Sequence, residues 1–277
     1  MTINFANLLP TLQPALESVA RIPIVHYLNE TIWIFAAIET GHLLLLTILG
    51  GAVLILNLRV LNLVLTDVPV EEVERTTRSW YRFGAAGAIV TGVIMGITTA
   101  RTLLPNGAFF IKMVALIAAI ILSHVVARQV RGSRALESRS GKAAILAGFA
   151  IWLAAMFLFA TTARVNPGSI LIALAGAALL SVATQRRHRP AIIAASALAL
   201  SGWYVSLDAL VGQSHGIGIA LTSTGLVAAA SFPTYSMDGR DTDKSILGKE
   251  ALQRLTAFVS TLAWITVAAA GRWIGFS

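Results

Sequence analysis

Glu39 and His42 stand one helical turn apart inside an apolar run, IFAAIETGHLLLLTILGGAVLIL. An ionisable side chain in hydrocarbon is costly, so such a pair within a membrane span marks a candidate functional site. The i, i+3 spacing puts both on one helix face. A neutral imidazole ligates iron or copper. A carboxylate beside it orients the ring or carries a proton. Glu39, His42, Leu46, Gly50, Val53 and Asn57 share an arc of roughly 60° at helical periodicity. Gly50 and Gly51 on this helix leave room for a neighbouring helix or a flat ligand.

The elements that must position this pair are membrane helices. The chain has 277 residues, is 56% hydrophobic and only 12% charged. Its mean hydropathy is +0.77. Apolar runs recur along its whole length, as in an all-α polytopic transmembrane bundle. The start, MTINFANLLPTLQPALES, has no basic n-region and no continuous apolar core, so it does not read as a signal peptide. Leu8, Leu12, Leu16 and Val19 recur at helical spacing there, which suits an interfacial segment over residues 1–30. The absence of cysteine excludes disulfides, thiolate metal sites, iron–sulfur clusters and covalent haem attachment.

Eight spans are expected, at 32–58, 82–103, 108–128, 143–163, 169–185, 190–211, 216–232 and 252–274. The seventh, GIGIALTSTGLVAAAS, is the weakest, and a re-entrant piece is the other reading of it. All lysines and arginines except Arg21, Arg101, Lys112, Arg164 and Arg272 fall on one side of these spans. The positive-inside rule then puts both termini outside a bacterial inner membrane. The net charge of +8 is therefore a matter of topology, with no support for nucleic-acid binding. Spans four and eight each carry a tryptophan (Trp152, Trp264) and end near an arginine (Arg164, Arg272). This fits a four-helix bundle over 31–165 followed by a second bundle over 166–277, related as a repeat. The acidic stretch Glu71, Glu72 and Glu74 reads as a solvated loop or short amphipathic turn.

Helical rise sets depth. His42 precedes Arg59 by 17 residues, roughly 25 Å, and Lys112 precedes Arg128 by 16, about 24 Å. Both belong to the outer half, with Arg101 and Asp208. His124 lies four residues from Arg128, about 6 Å from the inner edge. The two histidines are thus too far apart in depth to share one haem. His124 and Arg128 share a face and form a separate candidate inner site. His188 in QRRHRP reads as part of a basic loop, and His26 and His215 as interfacial. Met95, Met113 and Met156 come near His42 in depth, where thioethers offer soft ligands to Cu(I).

The runs IETGHLLLLTILGGAVLILNLRVLNL, SWYRFGAAGAIVTG and NGAFFIKMVAL resemble an uncharacterised family of bacterial four-helix membrane proteins, over about residues 30–165. They are distantly similar to the CopD copper-resistance proteins and the HemJ-type protoporphyrinogen oxidases. The last group pairs a His on its first helix with a Lys on its third, and the matching positions are His42 and Lys112. The terminal AGRWIGF resembles the end of the fourth helix of the uncharacterised family. The resemblance implies a b-type haem protein or a metal-handling protein.

Three functions follow as expectations. The first is a membrane redox protein with haem b on His42, a proton-carrying or ring-orienting Glu39, and Lys112 and Arg101 acting on haem propionates or substrate. His124 and Arg128 would serve a second site. The second is copper handling of the CopD kind, with His42 and the methionines as ligands. The third is a structural subunit in a larger membrane complex. Expected partners are the lipid bilayer and a redox partner or complex.

Overall fold

The computed structural model describes residues 21–104, 106–132, 138–162 and 244–276, with Pro14 and residues 17–19. All regular structure among these residues is helical. The spans expected at 169–185, 190–211 and 216–232 lie outside the described residues, as does most of the interfacial segment.

A short helix α1 (Pro23–Glu30) begins with proline in its first turn, where the missing N–H costs nothing. It buries Val25 and exposes Ile24 and Tyr27. Helix α2 (Ile32–Val60) follows almost without a break and carries Glu39 and His42. Its 29 residues span about 43 Å, more than a hydrocarbon core requires. Asn62 and Leu65, both with positive φ, turn the chain. Arg59 ties that loop down, with Nε donating to the Val68 carbonyl at 2.8 Å and Nη2 to that of Thr66 at 3.3 Å.

Helix α3 (Val70–Thr98) starts well before the span expected at 82–103 and stops short of its end. Pro69 precedes it, and Glu71 and Glu72 occupy its first turn, where the helix dipole favours acid. The acidic stretch is therefore helical, not a loop. At the other end Thr98 and Thr99 both turn their hydroxyls back to the Met95 carbonyl, at 2.9 and 2.6 Å. Such back-bonding competes with the helical ladder. The helix breaks at Thr99, and Arg101 lies beyond the break in a four-residue helix α4 (Ala100–Leu103). Its depth cannot be counted along one straight helix from Arg82.

Asn106 then caps α5 (Gly107–Val130), its Oδ1 accepting from the amides of Ala108 and Phe109. Helix α6 (Arg139–Thr162) covers the span expected at 143–163. The last helix, α7 (Lys244–Trp273), covers that expected at 252–274. Among the described residues, four stretches are long and apolar enough to cross a membrane: Trp33–Val60, Val70–Thr98, Gly107–Val130 and Leu252–Arg272. The chain is a helical membrane protein.

Small residues decide how these helices pack, since lipid offers no hydrophobic drive between them. Helices α2 and α3 form an antiparallel pair around Gly84. A Cβ there would stand 2.8 Å from the Leu49 amide nitrogen. The expected close-approach glycines, Gly50 and Gly51, have no neighbour within 4 Å of a Cβ. Helices α5 and α6 meet where Gly148 faces Leu122. Helix α7 packs between α5 and α2. Ala115, Ala118, Ala119, Ala257, Ala263 and Ala270 are fully buried and let this contact close. Hydrogen bonds then fix its register. Asn57 of α2 donates to Thr261 at 3.1 Å, and Trp264 Nε1 donates to Ser123 of α5 at 2.8 Å. Ser123 also meets Ser260 at 3.2 Å, and Trp152 of α6 donates to Thr266 at 3.3 Å. Helix α7 thus shares one hydrophobic core with α5 and α6.

Candidate functional site

His42 is 8% exposed on the α3-facing side of α2. Its Nδ1 lies 2.7 Å from the Thr91 hydroxyl. Thr91 has a single hydroxyl proton, and the Gly87 carbonyl at 2.7 Å takes it. With that proton on the Gly87 carbonyl, the hydroxyl oxygen accepts from Nδ1–H, the tautomer that leaves the lone pair of neutral His42 on Nε2. Gly92 makes room for the ring, since a Cβ there would come 3.2 Å from Cε1. Among the described residues only Gln129 has sealed side-chain polar atoms without a partner. The His42 ring also has a backbone hydrogen bond at Ala88, and neither of its nitrogens is among the sealed, unpartnered atoms.

Lys112 comes from α5 and is half-buried. It lies close enough for its ammonium to act electrostatically on His42. Its stem runs along Gly271 of α7, where a Cβ would stand 3.6 Å from Lys112 Cε and 3.7 Å from Nζ. Among the described residues no carboxylate comes within ion-pair distance of it. The site is an acceptor nitrogen and a cation held by three helices.

The other expected residues stand apart from this pair. Glu39 is exposed one turn from His42, and the bond expected from it to the imidazole comes from Thr91 instead. Arg101 follows the Thr99 break, and its side chain lies outside the described residues. His124 and Arg128 are both exposed on α5, one turn apart. The register of α7 places Asn57 and Ser123 at one level, because they bond to adjacent residues, Thr261 and Ser260. His42 stands 15 residues from Asn57, about 22 Å along α2, whereas His124 adjoins Ser123. The inferred separation of the two histidines holds.

A second polar cluster occupies the basic end of the bundle. Glu74 is 2% exposed and accepts from Arg78, with Nε at 3.1 Å and Nη2 completing a fork. Arg131, at the C-cap of α5, approaches to 3.7 Å and ties the end of α5 to α3. Gln129, also on α5, is buried with neither amide atom partnered. Thr91 and the hydroxyls of α7 are not singled out by the sequence, and Glu74 reads there only as part of a solvated acidic stretch. Signals existed for two of them. Gly84, Ala88 and Gly92 recur every fourth residue and mark the α3 stripe that Thr91 borders, and Glu74 precedes Arg78 by four.

The fold and site thus define a polytopic helical membrane protein with a buried imidazole and a half-buried ammonium between its helices. The chain belongs to a family of unknown function, DUF6644, whose model matches residues 20–166. No curated protein and no solved structure matches it. The matched segment contains α2, α3, α5 and α6 but not α7.

Proposed function

We propose that the chain is an integral membrane redox protein that carries b-type haem on His42. The observation that carries this reading is the Thr91 hydroxyl 2.7 Å from Nδ1, with the Gly87 carbonyl at 2.7 Å to take its own proton; with the Nδ1–H tautomer this leaves Nε2 as the ligating nitrogen. Metal-bound histidines characteristically have their other ring nitrogen held in this way. The donor set fits a haem with one protein imidazole. Lys112, which has no carboxylate partner among the described residues, and Arg101 beyond the Thr99 break would pair with propionates. Bound haem would supply one-electron chemistry. Glu39, exposed a turn away, would carry protons to the site. His124 and Arg128 belong to the opposite end and would serve a separate site.

No comparison matches the chain to the HemJ-type oxidases or the CopD proteins, so the haem reading rests on His42 and its surroundings, and the copper reading gains nothing from the packing. Under the positive-inside rule the Glu74 end is cytoplasmic in a bacterial inner membrane, and the site faces outward. Electron donor and acceptor would be membrane partners or subunits of a larger complex.

The test is the visible spectrum of protein purified in detergent after expression with haem supply. A reduced-minus-oxidised b-type band that disappears in His42→Ala is the expected result. A folded, haem-free preparation that takes up no added haemin refutes it.

A further inference from the structure

Helices α3 and α5 touch only briefly, and Arg78 and Arg131 converge there on Glu74. At 100° per residue, Arg78 and Arg82 share an arc of roughly 60° on α3 with Ile89 and Val93. On α5 and its C-cap, His124, Arg128 and Arg131 share an arc of roughly 80° with Ile117 and Ile120. Because Arg78 and Arg131 reach the same carboxylate, the two arcs border one groove. Arg82, His124 and Arg128 are exposed along it, as are the four aliphatic side chains.

Topology asks only that arginines stand at this end of the helices. It does not ask for a carboxylate sealed beneath them. Glu74 holds Arg78 through Nε and Nη2 and draws Arg131 to 3.7 Å. Arg131 Nε also donates to the Ala127 carbonyl at 3.0 Å. Among the described residues, Arg78 Nη1 and both Nη groups of Arg131 have no partner, and the two side chains are 35% and 37% exposed. Two guanidinium groups are thus pre-oriented with donors to spare, and one carboxylate does not balance them. Arg75, paired with Glu72 at 3.7 Å, and Glu71 continue the α3 face away from the membrane. Forked arginine donors match phosphate oxygens. From Arg82 to Val93, and from Arg128 to Ile117, the groove runs 11 residues, about 16 Å, into the apolar spans. A free anion has no use for such walls, whereas acyl chains do.

We propose that this groove binds an anionic phospholipid. Its phosphate sits on Arg78 and Arg131, with Arg82 and Arg128 around it, and its acyl chains lie along Ile89, Val93, Ile117 and Ile120. The proposal gives a ligand class to the separate site assigned above to His124 and Arg128. It rests on that end forming a site of its own, and not on haem at His42.

The test is native mass spectrometry of the full-length chain in detergent with added palmitoyl-oleoyl phosphatidylglycerol. Phosphatidylcholine with the same chains is the reference. Phosphatidylglycerol should be retained in preference. An arginine near a membrane surface contributes about five-fold in affinity for anionic lipid, so Arg82→Gln and Arg131→Gln should each weaken its retention about five-fold. Arg82 is exposed and holds no partner within the described residues, so its variant stays informative if Arg131→Gln fails to fold. Arg139→Gln is the control. Arg139 is exposed at the start of α6, which packs on the Leu122 side of α5, away from the groove, and its loss should change nothing. Equal retention of the two lipids overturns the proposal, as does equal weakening by Arg139→Gln. Unchanged retention in folded Arg82→Gln does so too. Displacement of phosphatidylglycerol by inorganic phosphate would show an anion site that ignores acyl chains, and also overturns it. No readout involves haem, so a failed spectrum and failed lipid retention are separate results.

Discussion

Replacing Thr91 by valine keeps its shape and removes its hydroxyl. With the Thr91 proton on the Gly87 carbonyl, that oxygen holds the proton of His42 on Nδ1. A neutral hydrogen bond of this kind contributes about 1 kcal/mol net, roughly a five-fold bias between tautomers. A buried Nδ1–H left unpaired would cost about 1–3 kcal/mol. The ring has an escape, because the proton can move to Nε2, which is not among the sealed, unpartnered atoms. Thr91→Val should therefore cost only about 1 kcal/mol of stability while shifting the tautomer ratio roughly five-fold toward Nε2–H. Nitrogen-15 NMR of the imidazole separates protonated from bare ring nitrogens and measures that ratio directly. Thr91→Ser should retain the parent ratio, and haem uptake should weaken in Thr91→Val in proportion to the lost Nε2 lone pair. A parent spectrum with the proton on Nε2, or a Val variant with an unchanged ratio, would refute the reasoning.

Three further outcomes are expected. Gly84→Ala should destabilise the α2–α3 pair by about 1–3 kcal/mol, since backbone on α2 cannot yield as a side chain could, whereas Gly50→Ala should be neutral or slightly stabilising. Thermal unfolding in detergent compares the two directly. Gln129→Leu should raise stability by about 1 kcal/mol, because it removes a buried amide with no partner; a lower melting temperature would show that the amide is satisfied in the membrane. At the basic end, Arg78→Met should destabilise more than Glu74→Gln, as the first leaves a buried carboxylate with a single distant guanidinium and the second leaves two cations that reach water. The ranking of the two in the same unfolding assay decides it.

The sequence by itself determined the class of the protein and the level of its candidate site. Apolar runs at span length, the segregation of Arg and Lys, and the rise per residue along α2 and α5 suffice to separate His42 from His124 and to bring Lys112 into His42's neighbourhood. These are properties of single helices, readable without neighbours. Tertiary structure decided who touches whom. Glu39 shares a face with His42 by sequence, yet the bond to the imidazole comes from Thr91, because α3 packs close enough across its glycine stripe to present a hydroxyl there. Gly50 and Gly51 read as approach points, and Gly84 is the one used, since the choice depends on which helix lies opposite. Glu74 read as solvated, and it is buried because two arginines from different helices converge on it. The terminal helix read as part of a second bundle, and it lies between α2 and α5. Hydrogen bonds from Asn57, Ser123 and Trp152 place it there, and their pairing spans more than a hundred residues of sequence that no local pattern connects.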